Sequence, residues 1–125
     1  MHKIRVLLAN YPAMIPETIR QVLAEQEDME VVGDCRGPMK ILQETGRTKA
    51  DAVVLAQEGI EEPGLCSQLL GVYPDLTILS VTLDMTSVYT QQLCSRRREA
   101  VSSQQQGIAQ TLRSAVRDSW SQREN

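Results

Sequence analysis

The sequence predicts an α/β fold in which a doubly wound, five-stranded parallel sheet is built in (βα)5 order. Short apolar runs alternate along the chain with segments whose apolar residues recur at helical spacing. One run, Val53–Leu55, is continuously apolar, as a parallel strand is when helices cover both of its faces. The length of 125 residues suits one domain with a buried core. We therefore expect a single domain over residues 1–125.

The first half of the chain alternates strands and helices. Residues 3–9 form an apolar run typical of a strand, and the helix predicted at 15–26 has Pro16 in its first turn. The next predicted elements are a strand at 29–35, a helix at 37–45 closed by Gly46, a third strand within 51–56 and a helix at 62–74. Parallel strands joined in this way end at one edge of the sheet, which is where open α/β sheets bind ligands.

The second half of the chain continues the alternation. The predicted elements are a fourth strand at 76–82, a fourth helix at 86–98, a short fifth strand at 99–103 and a last helix at 104–122. The last helix carries an apolar stripe made of Ile108, Leu112, Ala115 and Val116. Residues 118–125 are expected to form a frayed tail.

Composition and charge exclude several classes of function. The chain has 13 basic and 16 acidic residues and a formal net charge of −3, which gives no general attraction to phosphate backbones or anionic membranes. No apolar run is long enough to cross a membrane, and the N-terminal run is too short for a secretory signal. We expect a cytoplasmic domain that binds neither nucleic acid nor membrane.

Side chains that commonly bind metals or act as nucleophiles are scarce. Cys35, Cys66 and Cys94 are widely separated and form no C-x-x-C pair, so we expect plain thiols rather than a zinc site or a disulfide framework. His2 is the only histidine and lies at the terminus, so the sequence predicts no catalytic pair of a histidine and a nucleophile. The sequence therefore predicts no metal, no cofactor and no enzyme activity.

Four phrases of the chain occur in an order that matches a known family. They are IRVLLANYP at 4–12, MEVVGDC at 29–35, DAVVLA at 51–56 and YPDLTILSVT at 73–82. Together they resemble the receiver domains of response regulators, most closely the NarL type that precedes a LuxR-like helix-turn-helix. The resemblance covers about residues 3–117. It implies the flavodoxin-like receiver fold.

The same resemblance implies a phosphotransfer site with five elements. Two acidic residues hold Mg²⁺, an aspartate accepts the phosphoryl group, a Ser or Thr hydrogen-bonds its oxygens, and a lysine neutralises its charge. The corresponding residues here are Asn10 and Tyr11, then Ala56, then Thr82, and finally Ser102, or Ser103 if the register slips by one. Only the hydroxyl-bearing residue is kept. The chain thus resembles a degenerate pseudo-receiver that lacks the phosphoacceptor aspartate.

Two alternatives to an inert site stay open at this point. Glu58, Glu61 and Glu62 follow the third strand and either form a solvated acidic loop or supply a displaced nucleophile, although the cation ligands and the lysine would still be missing. Thr82 either retains a switching hydroxyl or caps the next turn.

Basic and aromatic residues of the C-terminal half are the candidate interface. They are Arg96, Arg97, Arg98, Arg113, Arg117 and Trp120. The three consecutive arginines form either a solvated patch or part of an interface, and the tryptophan either covers the core edge or anchors a contact. Receivers commonly pair through this region, so we expect a constitutive homodimer. Reversing the charge of Arg113 and Arg117 is expected to weaken it with little effect on unfolding.

Three function hypotheses follow from these observations. The leading one is a phosphorylation-independent pseudo-receiver that acts as a signalling or regulatory interaction module, binding a protein partner or itself, in a pathway that regulates transcription. The alternative is a small-molecule sensor that uses the vacated crevice. The third is a thiol redox switch through one of the three cysteines.

Overall fold

The computed structural model describes residues 3–58, 64–83, 88–92, 95–99 and 105–124. The strands are β1 (Ile4–Ala9), β2 (Met29–Cys35), β3 (Ala52–Gln57), β4 (Thr77–Thr82), β5 (Val88–Gln92) and β6 (Ser95–Glu99). The helices are α1 (Glu17–Ala24), α2 (Pro38–Arg47), α3 (Gly64–Val72) and α4 (Gln105–Glu124). The strands form one sheet in the order β2-β1-β3-β4-β5-β6.

The first four strands form a parallel sheet with helices on both faces. β1 pairs with β2 and β3, and β3 pairs with β4, always in parallel. Val54 packs in a core cluster with Ile19 of α1 and Leu112 of α4, whereas its neighbour Leu55 packs in a second cluster with Leu69 of α3. Adjacent residues of a strand point to opposite faces, so β3 supplies both cores. The doubly wound α/β architecture predicted from the sequence is confirmed in this part of the chain.

The C-terminal strands correct the prediction for residues 86–103. The predicted helix at 86–98 is replaced by β5 and β6, which pair antiparallel with each other, and β5 pairs antiparallel with β4. Val88 is buried opposite Val81, and the Val88–Thr90 run consists of β-branched and aromatic residues that favour strands. Because β5 runs antiparallel to β4 and β6 runs antiparallel to β5, β6 points in the same direction as the parallel strands. The strand predicted at 99–103 lies outside the described residues except for Glu99, which ends β6.

Helix α4 is tied to the turn before β2 by a two-point ion pair. Arg113 donates through Nε to Asp28 Oδ2 at 2.5 Å and through Nη2 to Asp28 Oδ1 at 3.1 Å. Arg117 Nη2 donates to Asp28 Oδ2 at 3.0 Å. The hydrogen bond from Arg113 holds the pKa of the Asp28 carboxyl below its usual value. This guanidinium therefore serves a contact within the domain.

Helix α4 extends through most of the segment expected to fray, residues 118–125. The helix continues to Glu124, and half-buried Trp120 packs against the core cluster that lies between α1, α4 and the sheet. Within the described ranges, no helix is long and apolar enough to span a bilayer.

Candidate functional site

The carboxyl edge of the parallel strands gathers the positions that the sequence singles out. Asn10 directly follows β1, Ala56 is the penultimate residue of β3, and Thr82 ends β4 opposite Gln57. Because parallel strands end at one edge, these side chains share the place where α/β proteins usually bind ligands. Ser102 and its neighbour at 103 lie outside the described residues.

Ala56 is covered by the segment that follows β1. The backbone N–H of Ala13 donates to the carbonyl oxygen of Ala56 at 3.0 Å, and the two residues form an isolated antiparallel bridge. Ala56 is only 1% exposed and belongs to the same core cluster as Val54. A methyl group offers no nucleophile, and here it is also closed to solvent. The position cannot accept a phosphoryl group.

Most of the candidate positions that the structure describes are buried. Asn10 and Thr82 are buried together with Ala56, and Tyr11 alone of the predicted described positions is exposed. A binding site for a small molecule needs a concave space that removes most of the ligand from water. The sensor alternative stays a prediction, since residues 59–63, 84–87 and 100–104 lie outside the described residues. Of the neighbouring carboxylates, Glu58 is exposed, and those at 61 and 62 lie outside the described residues.

Asn10 uses its whole amide in hydrogen bonds. Its Nδ2 donates to Asp34 Oδ1 at 2.5 Å and to the carbonyl oxygen of Cys35 at 3.1 Å. Its Oδ1 accepts from the backbone N–H of Ile15 at 3.0 Å and from Arg20 Nη2 at 2.5 Å. An amide group has two donor hydrogens and two acceptor lone pairs, so none is left over.

Arg20 places a permanent positive charge in the site. Its Nη1 donates to Asp34 Oδ2, and its Nε donates to the carbonyl oxygen of Ile15 at 3.2 Å. The Arg20 side chain is only 17% exposed. Its Nε also lies 4.0 Å from Glu17 Oε2. Sequence reasoning missed Arg20 and Asp34. The signal available was an acidic residue near the carboxyl end of a predicted strand, with an arginine in the first turns of the preceding helix.

These residues do not fit the magnesium ion that the receiver fold implies. Mg²⁺ needs oxygen ligands, preferably carboxylates, in octahedral geometry. The oxygen of Asn10 is already fully used, and the carboxylate of Asp34 is neutralised by Arg20. In the described part of the chain, no group of three or more His, Cys, Asp or Glu residues is suited to hold a metal ion.

Three exposed apolar residues follow β1 or β4 at the carboxyl edge of the sheet. Tyr11 is 39% exposed, Met14 52% and Leu83 39%. Met14 follows Ala13, which bonds Ala56, and Tyr11 lies two residues before Ala13, whereas Leu83 donates its backbone N–H to the Gln57 carbonyl oxygen at 2.8 Å. We name Tyr11, Met14 and Leu83 the edge cluster. Grouped exposed apolar residues commonly mark contact surfaces.

The described cysteines lack the features of a redox switch. Cys66 is fully buried, and burial raises the pKa of the Cys35 thiol, with Glu44 and Asp34 adding to the shift. A reactive cysteine needs a lowered pKa and access to solvent. Cys35 and Cys66 form no disulfide within the described residues, and Cys94 lies outside them.

The candidate interface arginines occupy two different settings. Arg96, Arg97 and Arg98 lie on β6, the last strand in the sheet order, instead of on a helix. Arg113 and, more weakly, Arg117 are engaged by Asp28.

Solved receiver structures share this fold. The RcsB response regulator of Salmonella typhimurium, described for its conformational dynamism in DNA interaction, aligns with a TM-score of 0.54 at 20% identity, over 66% of this chain and 44% of that one. The response regulator domain of Thermotoga maritima CheB gives 0.51 at 21% identity, over 65% and 61%. The isolated REC domain of RcsB from Salmonella enterica serovar Typhimurium, with the phosphomimetic BeF3⁻, gives 0.53 at 19% identity, over 66% and 63%.

These likenesses establish the receiver fold and nothing finer. The chain spans between 44% and 63% of the length of these structures. No protein-family model and no curated protein sequence matches it.

Proposed function

We propose that this domain is a pseudo-receiver: a non-enzymatic, cytoplasmic interaction module of a signalling pathway whose contacts do not depend on phosphorylation. The observation that carries the proposal is the end of β3, where Ala56 replaces a nucleophile and the Ala13 backbone closes the position. A module that no phosphodonor can modify has no ligand to bind two states differently, so it stays in one state. Its output must then be constitutive binding.

The edge cluster supplies the contact surface in this proposal. Apolar side chains at the centre of an interface give most of its binding energy, and charged groups at the rim set partner choice. The same edge carries Glu17 and Glu58, both exposed at the start of α1 and after β3. The partner we propose is therefore a protein segment with apolar side chains flanked by basic ones. A pathway that regulates transcription is the setting we favour, since the RcsB neighbour was studied for DNA interaction.

Site-specific crosslinking tests this surface. With a photoreactive phenylalanine analogue in place of Met14, we expect a heterologous protein adduct of defined mass, unchanged by acetyl phosphate and Mg²⁺. The Leu83→Glu variant should abolish that adduct, because a carboxylate placed in the centre of an apolar contact must be desolvated. The matched control carries the same analogue at Val72, which is exposed at the opposite end of α3.

Three results would contradict the proposal. They are equal adducts from positions 14 and 72, an adduct that survives Leu83→Glu, and an adduct that requires the phosphodonor. An adduct of twice the chain mass would show that the partner is a second copy of this chain, which is the homodimer expected from the sequence.

A further inference from the structure

We infer that Arg20 is the built-in cation of this site, and that Asn10 and Arg20 together exclude a divalent metal. The inference rests on the proposed function, which it deepens. It starts from the disagreement between the residues present and the magnesium ion implied by the fold. In this site an acidic residue, Asp34, holds a positive charge, but that charge is the guanidinium of Arg20 and not a metal ion.

The charges of the site balance without an ion. Asn10 is neutral, Asp34 contributes one carboxylate, and Arg20 contributes one guanidinium cation. The guanidinium donates to both side chains, and its Nε is fixed by the carbonyl of Ile15 at 3.2 Å. A metal entering here would have to displace this guanidinium, with its several hydrogen bonds, from Asp34.

Asn10 is suited to this arrangement in a way that aspartate is not. Its Nδ2 lies 2.5 Å from Asp34 Oδ1 and 3.1 Å from the carbonyl oxygen of Cys35. Aspartate at that position would place one carboxylate oxygen against another at the first contact and against a carbonyl oxygen at the second. Two carboxylates this close repel each other, and either a cation between them or protonation of one relieves the repulsion. The amide thus removes the need for a second positive charge.

Replacing both Asn10 and Arg20 should create a divalent cation site. In Asn10→Asp/Arg20→Gln, two carboxylates face each other with no positive charge between them, which is the ligand chemistry that Mg²⁺ and Mn²⁺ prefer. In Asn10→Asp alone, Arg20 still neutralises part of this charge. Arg20→Lys in the Asn10→Asp background keeps the charge with different geometry.

Manganese binding, read from the paramagnetic broadening of amide signals, tests the inference. We expect saturable binding by Asn10→Asp/Arg20→Gln, with broadening centred on residues 10 and 34, and affinity weaker by about tenfold or more in Asn10→Asp and in Asn10→Asp/Arg20→Lys. The wild type should show no saturable broadening at this edge. A merely structural role for Arg20 would not produce a gain of metal binding that follows the charge at position 20.

Several outcomes would overturn the inference. If Asn10→Asp bound manganese as tightly as Asn10→Asp/Arg20→Gln, Arg20 would not exclude the metal. The single variant Asn10→Asp retains Arg20, so this comparison does not depend on the folding of a protein that lacks the arginine. Saturable binding by the wild type, or none by a folded Asn10→Asp/Arg20→Gln, would do the same. These metal-binding results are separate from the tests of the proposed function, which fails on the crosslinking results given above or if the wild type accepts a phosphoryl group or its analogue.

Discussion

The Ala56→Asp variant is expected to unfold with a free energy about 2 to 4 kcal/mol below that of the wild type. The side chain at position 56 is buried, and its carbonyl is bonded to Ala13 across the top of the position. A carboxylate placed there loses water and gains no cation, because Arg20 is already engaged by Asp34 and Asn10. The same absence of charge stabilisation means that the variant should not form phosphoprotein with acetyl phosphate and Mg²⁺.

Urea unfolding at two pH values measures this effect. Burial raises the pKa of a carboxyl group, so the penalty should be small near pH 4 and grow as the pH rises to 7, where the folded state has to carry the charge. Ala56→Ser adds a small polar group without charge and is the matched control, with a loss that does not change over this range. Unaltered stability at pH 7, or stable phosphoprotein, would show that the position is open and that a cation site exists.

Reversing the charge of Arg113 should cost about 2 kcal/mol of stability, which departs from the small effect expected from the sequence alone. Arg113 donates two hydrogen bonds to Asp28 and one to Gln26 Oε1 at 2.8 Å, with all three groups partly buried. Arg113→Glu removes these bonds and sets two carboxylates against each other. Arg117→Glu is the matched control, since Arg117 makes a single, exposed contact with Asp28 and should lose less than about 1 kcal/mol.

The pH dependence of the Arg113 effect has a defined sign. The pKa of Asp28 is lowered in the folded protein, chiefly by its hydrogen bond from Arg113. The pair therefore stabilises the fold fully above the unfolded-state pKa of about 3.9, and its contribution disappears as the pH falls through the lower folded-state value. Unfolding curves of wild type and Arg113→Glu should converge at acidic pH. Equal stability of the two at neutral pH would show that the pair is not formed in solution.

The parallel half of the fold could be predicted because each strand has a strong local pattern. β3 is buried throughout and is apolar from Ala52 to Ala56, and β2 begins and ends at the residues expected from the sequence. The lack of a nucleophile at position 56 is also visible in the sequence, since the methyl group of Ala56 has no nucleophilic atom. These features depend on residues that lie close together in the chain.

The remaining features depend on contacts between distant residues. The sequence predicts a helix over 86–98 where the structure has the antiparallel strands β5 and β6, because the few apolar residues fit either spacing and the pairing of Val88 with Val81 decides the outcome. Asp34 reaches Arg20 and Asn10 only once β2 lies beside β1, so no local pattern shows that the cation is replaced. Asp28 likewise meets Arg113 only through the packing of α1 on α4.

Titration of the wild-type protein with beryllofluoride and Mg²⁺, followed by amide nuclear magnetic resonance signals, tests the central claim most directly. Beryllofluoride mimics a phosphoryl group on a carboxylate and needs the nucleophile, the cation ligands and access to the end of β3. A site closed over Ala56 and balanced by Arg20 predicts no saturable shift at Asn10, Ala56 or Thr82. Saturable shifts at these residues would contradict the claim that the domain works without phosphorylation.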